Sequence, residues 1–315
     1  MKFFYFLFLL ILASPFGCTN STEPTYENLF SQNDTSHSQY TLHGKIIYSV
    51  NAFEKYGGAS STITSLKLLD YSQQTIKQDG NAIVFSLAIS KDNNTLAFIR
   101  RDMLTLKDYL VTLALDSLSG YETLITSSDS IIIPACPSWT YDNKLAYLSN
   151  SSNSWQLIVL GNRLNVDRKI AGSETTFSND GKIVIFSSLD DSLHASLYVY
   201  NLTEQTCTLL VKADSAYQVL RLFSPAISPD GKHVVFIKDY NGVRSDEIWI
   251  VNTDGTNLKM LASSDGGTDS SYPTWSPDGT KIAFVSANHI YIMNEDGSGK
   301  MKLNNTYVDD FAWSN

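Results

Sequence analysis

Apolar positions in this chain come in short runs, each cut off by a polar turn. Trp275-Ser276-Pro277-Asp278-Gly279 is followed by Thr280-Lys281-Ile282-Ala283-Phe284, and Ile227-Ser228-Pro229-Asp230-Gly231 by Lys232-His233-Val234-Val235-Phe236. The pattern predicts a strand end, a tight turn and a second strand. Pro presets φ for the turn, Asp bonds the backbone ahead of it, and Gly supplies φ > 0. The β-branched and aromatic residues that follow suit a pleated strand. No helical period competes, so the chain reads as all-β.

Decayed copies of the phrase lie at Ile89-Ser90-Lys91-Asp92-Asn93, Trp139-Thr140-Tyr141-Asp142-Asn143 and Phe177-Ser178-Asn179-Asp180-Gly181, and Phe311-Ala312-Trp313-Ser314-Asn315 carries its beginning. Asn93 and Asn143 replace the turn glycine, as Asn tolerates φ > 0. The Ser/Thr positions 90, 140, 178, 228, 276 and 314 recur at roughly 40–50 residues, the period of propeller blades built from four short strands. In the last complete repeat the predicted strands are 272–275, 281–286, 289–293 and 300–303, with Asn294-Glu295-Asp296-Gly297 as a second hairpin turn. Blade three is predicted to end on a strand at 166–170, and 100–107 lengthens a loop in blade two.

The chain ends complement each other. The first folded segment, 44–49, 62–69 and 74–78, supplies the second, third and fourth strands of a blade that lacks its first. Residues 309–313 are a first strand with nothing after it. Together they predict a sixth blade, closed by both termini, which removes the open edges of the ring. The expected domain is a six-bladed β-propeller of four-stranded antiparallel blades over 41–315.

The N-terminus reads differently. Residues 1–17 form a targeting segment, with Lys2 ahead of an apolar run at 3–13 that is too short to span a bilayer. Gly17-Cys18 then resembles the lipobox of bacterial lipoproteins, although Pro15 and Phe16 stand where that pattern favours Leu and a small residue. The resemblance implies lipidation at Cys18. Residues 18–40, rich in Ser, Thr, Asn and Gln, read as a flexible tether. The expected protein is exported and lipid-anchored in a bacterial cell envelope, facing the periplasm or the surface.

Charge and residue chemistry narrow the function. A net charge of −9 disfavours nucleic acid as a partner. Cys136 and Cys207 are expected to be unpaired, and no Cys/His metal spacing exists. The five His form no HExxH, and no GxSxG nucleophile elbow is present. Asp92, Asp142, Asp180, Asp230 and Asp278 recur at one turn position per blade, which marks them as backbone caps. Trp139, Trp275 and Trp313 occupy equivalent positions suited to packing between blades.

Ser-Pro-Asp-Gly followed by a strand resembles the repeats of TolB-like β-propellers. In that family a blade reads Trp-Ser-Pro-Asp-Gly, then Lys-Ile-Ala-Phe, then a Tyr-bearing strand ending near Asp-Gly. Residues 275–297 match this closely and 227–255 match it well. The resemblance implies a stand-alone propeller without the α/β domain that precedes the propeller in TolB. In related wheel-shaped families the first strand of each blade is innermost and partners sit at the channel mouths. That implies rim or channel positions for Arg221, Asp265, Asp269, Tyr272, Asp309 and Asp310. Gathered at one mouth, the four Asp would bind a cation such as calcium or a basic peptide segment. Dispersed, they are solvated loop carboxylates. No resident cofactor is expected otherwise. The function expected is a non-catalytic, monomeric scaffold that binds an envelope protein or peptide. The alternative is a carbohydrate-binding or carbohydrate-active propeller, a glycosidase or lyase with acids at the channel mouth.

Overall fold

Strand two of each blade explains the architecture, because it carries a run of consecutive apolar residues that faces both sides of its sheet. Leu96, Ala97, Phe98 and Ile99 are all fully buried, so both faces of their sheet must be covered. Leu96 and Phe98 pack toward blade one with Ile47 and Ile63, alongside Val84 of their own blade. Ala97 and Ile99 pack the other way, with Leu145 and Trp139 of blade three. Sheets covered on both faces by other sheets stack face to face, and their right-handed twist turns the stack into a wheel.

The computed structural model describes residues 42, 44–53, 58–115, 122–126, 133–151, 154–159, 162–164, 175–189, 194–213, 221–240, 246–263, 270–303 and 307–314. Every regular element among them is a strand. Blade one contains β1 (Lys45–Phe53), β2 (Ala59–Lys67) and β3 (Gln73–Gly80). Blade two is β4 (Ala82–Ile89), β5 (Thr95–Asp102), β6 (Asp108–Ala114) and β7 (Glu122–Thr126). Blade three is β8 (Ile133–Trp139), β9 (Leu145–Ser151), β10 (Ser154–Val159) and β11 (Asn162–Leu164). Blade four is β12 (Thr176–Phe177), β13 (Ile183–Leu189), β14 (Ala195–Asn201) and β15 (Thr206–Val211). Blade five is β16 (Arg221–Ile227), β17 (His233–Asp239), β18 (Glu247–Asn252) and β19 (Lys259–Ser263). Blade six is β20 (Ser270–Trp275), β21 (Lys281–Ser286), β22 (His289–Asn294) and β23 (Met301–Lys302).

The last strand, β24 (Asp310–Ser314), completes blade one in the order β24-β1-β2-β3. It pairs antiparallel with β1 from Lys45↔Ser314 to Ser49↔Asp310. The inner strands β24, β4, β8, β12, β16 and β20 neighbour one another in that cyclic order, and β20 returns to β24. Six blades and closure by the two ends of the chain are therefore as the repeat pattern predicts. Blades four and five also touch through a single parallel bridge, Ala195↔Arg221.

Several boundaries differ from the prediction. β1 runs on to Phe53 and pairs with β2 along its whole length, because Ser49 and Asn51 are satisfied by blade two rather than by solvent. Arg100, Arg101 and Asp102 belong to β5, so the long blade-two loop shrinks to a tip at 103–107. The fourth strand of blade three is made by Asn162–Leu164, ahead of the predicted 166–170, which lies outside the described residues. Residues 1–41, with the targeting segment, Cys18 and the tether, also lie outside them.

The turns form as their chemistry dictates. Ser90, Thr140, Ser178, Ser228 and Ser276 each donate a hydroxyl to the Asp two residues on, at 2.5–2.7 Å. Asp92, Asp180, Asp230 and Asp278 also accept a main-chain N–H two residues further, at 2.9–3.1 Å. Asn93 and Asn143 hold φ of 61° and 57°, beside 71–75° at Gly181, Gly231 and Gly279. The repeated carboxylates are turn caps. The Ser178 and Ser228 hydroxyls hold Asp180 and Asp230 below the usual carboxylate pKa.

Candidate functional site

The inner strands enclose a central channel of about 340 Å³ to which all six blades contribute. Four of these strands share a defect. The register slips between Phe85 and Ala88, Ala135 and Ser138, Phe223 and Ala226, and Ser271 and Thr274. The residue that opens each bulge has positive φ: Ser86 at 56°, Cys136 at 49°, Ser224 at 48° and Tyr272 at 52°. A bulge leaves a main-chain N–H without its ladder partner. In three blades the next residue is Pro137, Pro225 or Pro273, which carries no N–H to lose.

Blade two has Leu87 at that position, and its N–H is answered from blade one. Asp310, only 2% exposed, accepts it on Oδ2 at 2.7 Å, and Oδ1 accepts the N–H of Phe311 at 2.7 Å. Asp310 stands four residues before its turn serine, as Ser86, Cys136, Ser224 and Tyr272 do before theirs. Its neighbour Asp309 accepts the N–H of Asn51 at 2.6 Å, and burial pushes its carboxyl pKa up. Asn51 in turn bonds both the N–H and the carbonyl of Val84, each at 3.0 Å.

The structure therefore separates the predicted rim residues. Tyr272 and Asp310 line the channel, and Asp310 is turned into the wall by the two N–H groups. Asp309 braces β1. Arg221 lies at the start of β16 and forks to Asp239, with Nε 2.7 Å from Oδ2 and Nη2 on the same oxygen. Its guanidinium also covers the Phe223 ring, 5.8 Å from its centroid. Asp265 and Asp269 lie outside the described residues. Among the described residues, no group of three or more His, Cys, Asp or Glu converges to hold a metal ion. Asp310 accepts main-chain N–H groups on both oxygens and Asp309 accepts one on Oδ2.

The residue chemistry of the lumen follows no sequence motif. Hydroxyls at Ser86, Ser138, Thr175 and Thr274 face it with prolines and aromatic rings. Lys91 lines it at the end where the Ser-Pro-Asp-Gly turns gather. Its side chain reaches water, yet surrounding protein crowds the ammonium and depresses its pKa. A signal for it was present. Aligned by their turn serine or threonine, the repeats carry Tyr141, Asn179, Pro229 and Pro277 where blade two carries the cation.

Trp139 and Trp275 work between blades. Their indole N–H groups donate to the carbonyls of Ala88 and Ala226 in the preceding inner strand, at 3.1 and 3.0 Å. Cys136 and Cys207 form no disulfide.

A family model described as the dipeptidyl peptidase IV (DPP IV) N-terminal region matches residues 242–307. A protein described as the uncharacterized peptidase YuxL of Bacillus subtilis (strain 168) is 31% identical over 104 residues, which is 30% of this chain. The match spans only 15% of that relative's length. TolB from Acinetobacter baumannii superposes with a TM-score of 0.69 at 19% identity, covering 86% of this chain and 66% of that one. A putative TolB from Agrobacterium tumefaciens gives 0.59 at 17% identity, covering 85% and 91%. At these identities the likeness is one of fold.

Proposed function

Starting from a TolB-like β-propeller fold, we propose that this chain is a non-catalytic scaffold that binds a segment of an envelope protein at its central channel. It is exported and held to a membrane by a lipid on Cys18. One observation carries the reading: the chemistry of the channel wall. Hydroxyls, prolines and aromatic rings suit an extended polypeptide. The carboxylate on the wall, Asp310, is engaged by the N–H groups of Leu87 and Phe311. An acid–base pair needs a carboxyl group that exchanges protons with a substrate, and Asp310 is not placed to do so.

The second reading, a carbohydrate-active propeller, has its motive in the acids predicted at the rim. Asp309 and Asp310 give it no support, since each accepts a main-chain N–H.

The test uses the full chain immobilised in detergent-solubilised envelope. Thr274, on the channel wall, is replaced by Cys in a Cys136→Ser background, since Cys136 lines the same wall, and is alkylated with a bulky maleimide after folding, beside an identically treated Cys136→Ser parent. The proposal predicts a specific partner captured by the parent and lost on alkylation at 274. A partner retained equally by both, or turnover of a glycan panel by the parent, overturns it. Labelling with radioactive palmitate tests the anchor: Cys18→Ala is expected to abolish incorporation.

A further inference from the structure

Lys91 and Asp310 are the charged residues among those that line the channel. They are not equivalent. Asp310 spends both oxygens on main-chain N–H groups of the wall. Lys91 stands at the turn-side mouth, and among the described residues it has no ion-pair or hydrogen-bond partner. Its neighbours at that mouth are already committed to each other. The Asn179 amide donates to the carbonyl of Pro229 at 3.0 Å, and Ser90 bonds Asp92. Other lysines on this face are paired: Lys144 with Asp142 at 2.7 Å, Lys182 with Asp180 at 3.3 Å and Lys232 with Asp230 at 3.6 Å. The turn of blade two breaks that rule, because its lysine comes before the acid and points into the channel mouth.

This leaves a cation whose side chain reaches water at the mouth of the channel, on a protein whose net charge is −9. Narrow, low-dielectric openings strengthen a lone charge and draw in its opposite. The crowding that depresses the Lys91 pKa is relieved when an anion replaces lost water. Behind Lys91 the lumen offers hydroxyls and apolar rings in about 340 Å³, room for a few residues of chain.

We propose that the turn-side mouth of the channel captures a peptide by its carboxylate, with Lys91 as the counter-charge and the lumen receiving the residues next to it. The inference rests on the channel-binding function above and adds the entrance and the ligand chemistry. The carboxylate is a C-terminal α-carboxylate or an Asp or Glu side chain.

The test titrates the full chain, its lysines carrying 13C-methyl labels that preserve their charge, with four probes. These are Ala-Ala-Ala, its C-terminal amide, the amide of Ala-Ala-Glu, and acetate. Lys91→Met identifies the Lys91 resonance. Saturable movement of that resonance is expected with Ala-Ala-Ala, and Lys91→Met should weaken its binding at least about tenfold. Lys91→Arg should restore it. Loss with the Ala-Ala-Ala amide and retention with the Ala-Ala-Glu amide assigns a side-chain carboxylate as sufficient. Loss with both assigns the C-terminus. Equal binding of the Ala-Ala-Ala amide and acid, unchanged binding in Lys91→Met, a response to acetate as strong as to peptide, or no response up to about 10 mM overturns the proposal. The two levels of inference fail separately. Partner capture that survives Lys91→Met but is lost on alkylation at 274 removes the carboxylate mouth and leaves the channel reading standing. Capture that survives both removes both.

Discussion

The boundary between blades five and six and the boundary between blades one and two solve the same packing problem with different chemistry. At the first, Val235, Ile237, Ile248 and Ile250 meet Trp275, Ile282, Phe284 and Met293 in a closed apolar layer. An indole hydrogen bond from Trp275 to Ala226 fixes the ring, and at the rim His233 Nδ1 lies 3.6 Å from the Glu295 carboxylate. At the second an apolar layer is present too, but a row of polar contacts runs beside it. Ser49 and Asn51 bond Val84, Asp310 bonds Leu87, and Arg100 forks onto Asp79 at 2.5 and 3.2 Å. The difference follows from chain connectivity. Both boundaries join blades consecutive in the chain, but blades five and six each take their four strands from one continuous stretch, so apolar contact suffices there. Blade one is assembled from residues more than two hundred positions apart in the sequence. Apolar contact is non-directional, so register there has to come from groups that accept one geometry only.

The contrast predicts a graded set of effects. The largest follows from removing residues 310–314. That deletes a five-residue ladder, exposes the edge of β1 and unpairs Leu87, at a cost of more than about 5 kcal/mol. Thermal melting should show a collapsed or absent cooperative transition, whereas a loss of only a degree or two would dissolve the distinction between the two boundaries.

Next comes Asp310→Ala, which strands the buried N–H groups of Leu87 and Phe311 and should cost about 2–4 kcal/mol by chemical denaturation. Leu87→Pro sharpens the comparison. Three other blades carry proline at this place, so Leu87→Pro added to Asp310→Ala should recover about 1–2 kcal/mol of the loss. Simple additivity of the two changes would mean that the N–H of Leu87 is not what Asp310 serves.

Trp275→Phe at the apolar boundary removes one hydrogen bond and part of a ring, for about 1–2 kcal/mol. A cost above that of Asp310→Ala would reverse the ranking argued here.

Acid should act on the turns of blades two to five. Ser hydroxyls hold Asp92, Asp180 and Asp230 below their ordinary value of 3.8, and Asp142 is held there first by Lys144 and then by Thr140. Their contribution is therefore complete above about pH 4 and is lost as pH falls through the lowered values. The melting midpoint should drop on that side, and Asp180→Asn should flatten the drop.

The smallest effect is opposite in sign. Burial raises Asp309 above 3.8, so its charge opposes folding once the pH exceeds that value. Asp309→Asn keeps an acceptor for Asn51 and should gain under about 1 kcal/mol at neutral pH, with no gain in acid. A loss at neutral pH would show that the charge itself is required.

Much of this was legible before any coordinates. The turn phrase is local chemistry, so its Pro, Asp and Gly announce each hairpin wherever they stand. Closure was legible because the incomplete first blade and the orphan last strand are defects with one remedy. The bulges were not. Ser86, Cys136, Ser224 and Tyr272 share no side-chain property, and their common positive φ answers to the crowding of six strands around a channel. The roles of Asp309 and Asp310 were hidden for the same reason. A carboxylate beside a turn looks solvated until the chain returns from the far end of the sequence to bring Asn51 and Leu87 against it. Lys91 was visible only by aligning blades whose resemblance has decayed.

The order in which β1 and β24 leave the ribosome has a consequence of its own. Residues 45–80 are synthesised first, yet the sheet they belong to stays one strand short until residues 310–314 emerge. The first blade therefore waits with an open strand edge, and the wheel closes once residues 310–314 reach it.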